Sequence, residues 1–132
     1  AVALEGALKA KEISYIHSEA YAAGELKHGT ISLVEDGTFV VALATNADLF
    51  EKMISNIREV KARGAVVLLV TAEKLAKTQN VADFVFYVPG TNKMMQPSMT
   101  VLPLQILSYY LALYKGCDID KPRNLAKSVT VE

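Results

Sequence analysis

The chain has 132 residues, enough for one domain with a real hydrophobic core. Lysine plus arginine equal aspartate plus glutamate at fourteen each, which argues against a surface for nucleic acid or for anionic membrane. One cysteine, Cys117, excludes an internal disulfide, and with only two histidines we expect no metal centre and no cofactor. No apolar run reaches the length of a membrane span and no signal peptide is recognisable, so we expect a cytoplasmic protein.

The first 29 residues, AVALEGALKAKEISYIHSEAYAAGELKHG, are typical of a helix from the first residue onward. Nothing before them could cap that helix and no methionine opens it, so we expect the chain to be cut from a longer one, with processing of a natural precursor as the alternative. At about 100° per residue, Glu5, Lys9 and Glu12 project from one side. The same side carries apolar residues: Val2, Ile13, Ile16, Ala20 and Ala23. The opposite side is predicted to face solvent and carries Lys11, Ser14, His17 and Ser18.

Three ionisable groups on an apolar stripe are unusual, because burial excludes charges that are neither paired nor used. One interpretation is structural: the two carboxylates and the lysine form a ladder of ion pairs along the helix. The other is functional, since a carboxylate beside a lysine in a partly dry cleft is suited to moving a proton on carbon. The pattern alone leaves both open.

The segment GELKHG follows, with Gly24 and Gly29 on either side of Glu25, Lys27 and His28. A histidine on such a connection titrates near neutrality and can present its imidazole to a ligand or to a neighbouring subunit. A solvated loop histidine without a role is the alternative.

The middle of the chain alternates between predicted strands and helices. GTFVVALA is a buried strand, and Asn46 caps the helix ADLFEKMISNIREVKAR, which Gly64 ends. The strand AVVLLVTA, a short helix AEKLAKTQ and the strand DFVFYV follow. A loop bracketed by Pro89, Gly90 and Pro97 leads to the helix VLPLQILSYYLALYKG, which ends at Gly116. This order predicts an α/β fold with a parallel sheet flanked by helices, although Asp36-Gly37 also permits a hairpin that includes residues 30–35.

The terminal segment KPRNLAKSVTVE sets one lysine, Lys127, among small and apolar neighbours. A docked tail whose lysine reaches back to water is one interpretation. The other is a lysine delivered into a pocket to form a Schiff base. A nucleotide site is not indicated, because neither GxGxxG nor a Walker-type loop occurs.

Two stretches, LKAKEISYIHSEAYAAGELKHG and DIDKPRNLAKSVTVE, closely resemble the end of the glucosamine-6-phosphate synthase family, the glutamine–fructose-6-phosphate aminotransferases. The resemblance covers essentially the whole chain. It implies the three-layer α-β-α fold of an SIS (sugar isomerase) subdomain, the second of two in that family. Residues 1–119 would form this subdomain, and residues 120–132 the tail that carries the Schiff-base lysine.

The resemblance also implies a chemistry, in which glucosamine 6-phosphate is made from fructose 6-phosphate and ammonia released from glutamine. Lys127 would form a Schiff base with the ketose, and Glu12 would move a proton between the first two sugar carbons. His28 would serve ring opening in the site of the neighbouring subunit of a homodimer, and Lys9 would assist at the sugar hydroxyls. The substrate-binding residues implied are Lys9, Glu12, Ala126 and Lys127.

The sequence departs from that family in ways that limit the prediction. Thr30 stands where the family usually has proline. The phosphate-binding loop of the first SIS subdomain and the glutaminase domain are absent, so we expect the chain alone to be inactive and to self-associate. A non-catalytic SIS module that binds a sugar phosphate for regulation is the alternative function, and a purely structural fragment is a third.

Overall fold

Three apolar runs form the sheet in a computed structural model that describes residues 1–72, 81–123 and 125. The strands are β1 (Phe39–Ala44), β2 (Val66–Ala72) and β3 (Phe84–Val88). They lie in the order β1-β2-β3, and both neighbouring pairs are parallel. The predicted α/β fold with a parallel sheet is therefore confirmed.

Helices precede and follow the run of strands along the chain, and one α-helix lies between β1 and β2. The α-helices are α1 (Val2–Ser14), α2 (Phe50–Lys61) and α3 (Gln96–Tyr114), and short 3₁₀ helices cover Ala23–His28, Thr30–Leu33 and Ala47–Leu49. The hairpin alternative is wrong, because residues 30–33 are helical and no strand precedes β1 in the described residues. The predicted helix AEKLAKTQ lies, except for its first alanine, outside the described residues.

The main core lies between α2 and one face of the sheet. α2 buries four apolar side chains at helical spacing: Phe50, Ile54, Ile57 and Val60. They meet alternate residues of the two strands, since successive strand side chains point to opposite faces: Ala42, Ala44, Val67 and Leu69. Asn46 caps a helical turn as predicted, because its Oδ1 accepts a 3.0 Å hydrogen bond from the Asp48 N–H. The capped turn is the 3₁₀ helix Ala47–Leu49, whereas α2 begins at Phe50 and has no side-chain cap of its own.

β3 does not share this burial. Phe84, Val85, Phe86 and Tyr87 are all exposed and only Val88 is buried. The expectation that every strand is covered on both faces is therefore wrong for β3 within the described residues. An apolar run favours a strand that can be buried, but burial also requires other elements to cover it.

The start of α3 also differs from the prediction. The helix begins at Gln96 and includes Pro97, which was expected to belong to the preceding loop. Proline is tolerated in the first turn of a helix, where its missing N–H would have no intrahelical partner. The end of the helix agrees with the prediction, because Gly116 takes a positive φ of 68° just beyond Tyr114.

The chain divides into two compact units. Tyr21–Pro103 contains the sheet and α2, and Ala1–Ala20 groups with the described residues from Leu104 onward. In the second of these, α1 approaches α3 closely at Gly6, where an added Cβ would lie 2.7 Å from Leu104 Cδ1. The boundary predicted between residues 119 and 120 remains a prediction.

Candidate functional site

The charged ladder on α1 is closed by its own side chains. Lys9 Nζ lies 2.6 Å from Glu12 Oε2, one turn away, and 3.6 Å from Glu5 Oε1 on the other side. The spacings of three and four residues bring these groups together on a helix. All three side chains are half-buried, and Glu12 is the least exposed at 23%. The arrangement places a carboxylate against an ammonium at the edge of solvent.

The pair changes the acidity of the lysine. The hydrogen bond to Glu12 raises the pKa of Lys9 above its ordinary value of 10.5, and attraction by both carboxylates acts in the same direction. Partial burial opposes this effect but does not cancel it. Lys9 is therefore an ammonium at neutral pH, which suits donation to a substrate oxygen and does not suit nucleophilic attack.

The buried face of α1 is not the predicted one. Its buried residues are Ala10 and Ser14, whereas Ser14 was expected to face solvent. The Ser14 hydroxyl donates to the Ala10 carbonyl at 2.6 Å, so its burial leaves no polar group unpaired. Lys11 is exposed as expected. A face of small residues is buried by close helix packing, and side-chain hydrophobicity does not reveal it.

α1 also ends earlier than predicted. Tyr15 has φ 57° and ψ 27°, the left-handed conformation, and its N–H donates to the Lys11 carbonyl. Residues beyond Ser14 therefore leave the helix, and the expectation that Ile16, Ala20 and Ala23 continue its apolar side is wrong. A bulky residue rarely takes this conformation, so a helix end at Tyr15 could not be predicted from residue type.

Sequence reasoning missed two side chains that reach this end of α1 from far along the chain. Lys115 Nζ donates to the Ser14 carbonyl at 2.6 Å. The Arg123 N–H donates to Tyr15 Oη at 2.7 Å, and the Arg123 guanidinium lies 4.2 Å from the centre of the Tyr15 ring. The two residues in each contact are about a hundred positions apart, so no local sequence pattern predicts these contacts.

The remaining candidate residues are not observed next to this charged ladder. His28 is exposed at the end of the 3₁₀ helix Ala23–His28. Ala126 and Lys127 lie outside the described residues. The predicted place of Glu12 at the carboxyl edge of the sheet stays a prediction, as do the roles assigned to Lys9, Glu12, His28 and Lys127.

Neither a metal centre nor a membrane span is found in the part of the chain that the structure describes. No three His, Cys, Asp or Glu side chains there form a group that could hold a metal ion. No helix in the same residues combines the length and the apolar character needed to cross a bilayer.

The parallel sheet with flanking helices places the chain among the α/β proteins. Within that class, residues 1–115 match the SIS domain family. The chain therefore belongs to the SIS domain family, as the two end motifs predicted.

Curated relatives are similar over the full length of the chain. Two glutamine–fructose-6-phosphate aminotransferases (isomerizing) are 64% and 63% identical over all 132 residues, from Caldanaerobacter subterraneus subsp. tengcongensis and from Clostridium acetobutylicum. The chain spans 22% of the length of each.

Two solved structures are also similar to this chain. The C-terminal domain of a glucosamine–fructose-6-phosphate aminotransferase from Francisella tularensis has a TM-score of 0.84 and 42% identity, over 91% of this chain and 34% of that one. A glucosamine-6-phosphate deaminase from Thermotoga maritima has a TM-score of 0.75 and 33% identity, over 97% of this chain and 36% of that one.

Proposed function

We propose that this chain supplies the acid–base and Schiff-base residues of a glutamine–fructose-6-phosphate aminotransferase, which makes glucosamine 6-phosphate. The observation that carries the proposal is the half-buried pair of Glu12 and Lys9, joined at 2.6 Å on α1. High identity over the whole chain to aminotransferases of that name supports it. The likeness to a deaminase named for glucosamine 6-phosphate concerns the same amino sugar.

In the proposed reaction, His28 assists opening of the sugar ring, which exposes the ketone at the second carbon. The amine of Lys127 adds to that carbon and water leaves, so an imine forms. Ammonia must then displace Lys127, because the product carries its nitrogen on the second carbon. Glu12 removes a proton from the first carbon, and a proton returns to the second carbon to give the aldose.

The two lysines have different roles because their settings differ. Lys9 is held as an ammonium by Glu12, so it can stabilise charge on a sugar oxygen but cannot attack a carbonyl. Lys127 must be neutral to attack, and small or apolar neighbours in sequence together with a nearby cation disfavour its protonated form. We propose Lys9 as that cation.

We also propose an oligomeric state and a cellular location. The exposure of His28 is compatible with service to the site of a neighbouring subunit, so we infer a homodimer. The phosphate group and the ammonia would be handled by the first SIS subdomain and the glutaminase domain of a longer protein. A cytoplasmic location follows from substrates that are phosphorylated sugars, because such anions do not cross membranes unaided.

The test uses this chain in place of the corresponding 132 residues of the full-length Caldanaerobacter relative, because the chain spans only 22% of that protein. Borohydride added with fructose 6-phosphate should reduce the imine and leave a sugar adduct on Lys127, located by mass spectrometry. Lys127→Arg should abolish the adduct and the synthesis of glucosamine 6-phosphate, since a guanidinium stays protonated. Lys121→Arg, a matched change in the same segment, should leave both intact.

Glu12→Gln separates the two chemical steps. This variant should still give the adduct but should lose the proton shift, because Glu12 acts after the imine forms. An adduct on Lys9, or full synthesis by Lys127→Arg, would show that the Schiff-base assignment is wrong. Binding of fructose 6-phosphate with neither adduct nor product in the unaltered protein would favour the regulatory SIS module.

A further inference from the structure

The end of α1, one turn beyond Glu12, is held by the segment that leads to the terminal residues. Lys115 donates to the Ser14 carbonyl, where a basic side chain also meets the negative end of the helix dipole. Arg123 contacts Tyr15 twice, through its backbone N–H and through its guanidinium over the ring. These contacts join residues 108 positions apart at their widest.

The segment between these two contacts is fixed by its own hydrogen bonds. The Cys117 N–H donates to the Ala112 carbonyl across the turn at Gly116. Asp118 Oδ1 then accepts from the N–H groups of Asp120 and Lys121 at 3.0 and 2.9 Å. The chain from the end of α3 to Arg123 is therefore an ordered connection that ends on Tyr15.

The conformation of Tyr15 adds a second observation. A non-glycine residue with a φ of 57° is uncommon, and strain of this kind persists where the surroundings determine it and clusters at functional sites. Glycine at this position would end the helix without strain. The tyrosine contributes what glycine lacks, namely a ring under the Arg123 guanidinium and a hydroxyl oxygen that accepts from the Arg123 N–H.

We propose that Tyr15 is a positioning residue that anchors Arg123 and thereby sets the point from which the Lys127 segment departs. This inference rests on the proposed function, in which Lys127 forms the imine. Lys127 follows Arg123 by four positions, so their Cα atoms are at most about 14 Å apart. Tyr15 follows Glu12 by three residues, about 4.5 Å along a helix axis. Under the proposed function, a fixed Arg123 limits the volume that an amine four positions later in the chain can search, and restriction of this kind raises a reaction rate.

The test again uses this chain within the full-length Caldanaerobacter relative, with the rate of borohydride trapping by fructose 6-phosphate as the readout. Tyr15→Gly keeps a residue suited to the left-handed conformation and removes both contacts, so trapping should slow about tenfold. Tyr15→Phe keeps the ring and removes the acceptor, with an expected loss of about threefold. The KM for fructose 6-phosphate should stay unchanged in both, because neither variant removes a group that touches the sugar.

Two substitutions of Arg123 form a matched pair of variants. They should not disturb the fold, because the Arg123 side chain is exposed. Arg123→Gln removes the cation over the ring and should slow trapping about threefold, whereas Arg123→Lys keeps a cation and should restore the original rate. Circular dichroism would confirm that each variant is folded. A purely structural role predicts that folded Tyr15→Gly traps at the original rate, and that result would overturn the inference while leaving the adduct on Lys127 intact. Absence of the adduct in the unaltered protein would overturn the proposed function, and this inference with it.

Discussion

Lys9 and Glu12 stand one turn apart on α1 and are joined by a hydrogen bond of 2.6 Å, whereas Glu5 lies 3.6 Å from the same ammonium. The difference in distance matters because hydrogen bonding to the charged form adds to simple attraction between charges. The charge of the lysine is thus linked mainly to one carboxylate.

Glu12→Gln should therefore lower the pKa of Lys9 toward its ordinary value of 10.5. NMR of labelled lysine side chains would follow the titration. Because the folded-state pKa is raised, the contribution of this pair to stability is present below pH 10.5 and is lost as the pH rises through the folded-state value. Glu5→Gln is the control and should lower the pKa less. A larger effect from Glu5→Gln would contradict the geometry.

Gly6→Ala tests the close approach of α1 and α3. A methyl group at position 6 would lie 2.7 Å from Leu104 Cδ1 and 3.0 Å from its Cβ, and Leu104 is buried. The variant should lose about 1–3 kcal/mol of unfolding free energy through overpacking, although alanine favours helix more than glycine does. Urea unfolding would measure the loss. Gly24→Ala, where an added Cβ meets nothing within 4 Å, should change stability little. Equal effects at the two positions would contradict this account of the packing.

The sheet and α2 could be predicted because their signals are local. β1 and β2 are runs of apolar residues. Asn46 caps the 3₁₀ helix Ala47–Leu49 that leads directly into α2, and Gly64, with φ 86°, lies in the turn that follows α2. Each of these features depends on residues within one or two turns of each other. The two end motifs likewise identified the SIS family before any geometry was known.

The exposed and buried sides of α1 could not be predicted in the same way. Ser14 is buried because its hydroxyl finds the Ala10 carbonyl and because the neighbouring face is lined by small residues. Tyr15 ends the helix in a conformation that Arg123 helps to hold from the far end of the sequence. Contacts at such separation depend on tertiary structure, and hydrophobic periodicity contains no information about them.

Asp83 should make stability depend on pH. Its carboxylate accepts from Lys61 Nζ at 2.6 Å and from the Val67 N–H at 2.7 Å, and these bonds hold its pKa below the ordinary value of 3.8. A depressed pKa stabilises the folded state above the unfolded value, and the contribution is lost as the pH falls through the folded value. The unfolding free energy should therefore fall on acidification below about pH 4. Asp83→Asn should reduce this fall, and Lys61→Met should raise the pKa of Asp83. An unchanged acid dependence in Asp83→Asn would refute the assignment.

Thr30→Val should stabilise the protein. Thr30 Oγ1 is buried and has no hydrogen-bond partner among the described residues, so valine removes an unsatisfied hydroxyl and keeps the shape. The expected gain is about 1 kcal/mol of unfolding free energy, measured by thermal or urea unfolding. Thr38→Val is the matched control, because Thr38 Oγ1 accepts from the Glu35 N–H at 3.0 Å and its loss should destabilise. A loss of stability in Thr30→Val would indicate that its hydroxyl has a partner in solution.

The last prediction concerns the exposed apolar side chains of β3, which lie on both faces of the strand. Phe84 and Tyr87 are 58% and 49% exposed, and they lie on opposite faces of the strand because strand side chains alternate. Apolar surface of this kind seldom remains uncovered on a monomer, so the isolated chain should self-associate. In analytical ultracentrifugation its apparent mass should rise above the monomer value of 14.4 kDa as concentration increases.

Substitution at two exposed apolar positions decides whether β3 is responsible for this association. Phe84→Glu should shift the chain toward the monomer, because a carboxylate in a contact between copies would lose its water without gaining a partner. Leu33→Glu introduces the same charge at a side chain that is 69% exposed and lies outside the sheet, and it should leave the association unchanged. Equal weakening by both variants would attribute the effect to net charge alone. A constant mass of 14.4 kDa at every concentration would show that β3 is not used for association in this chain.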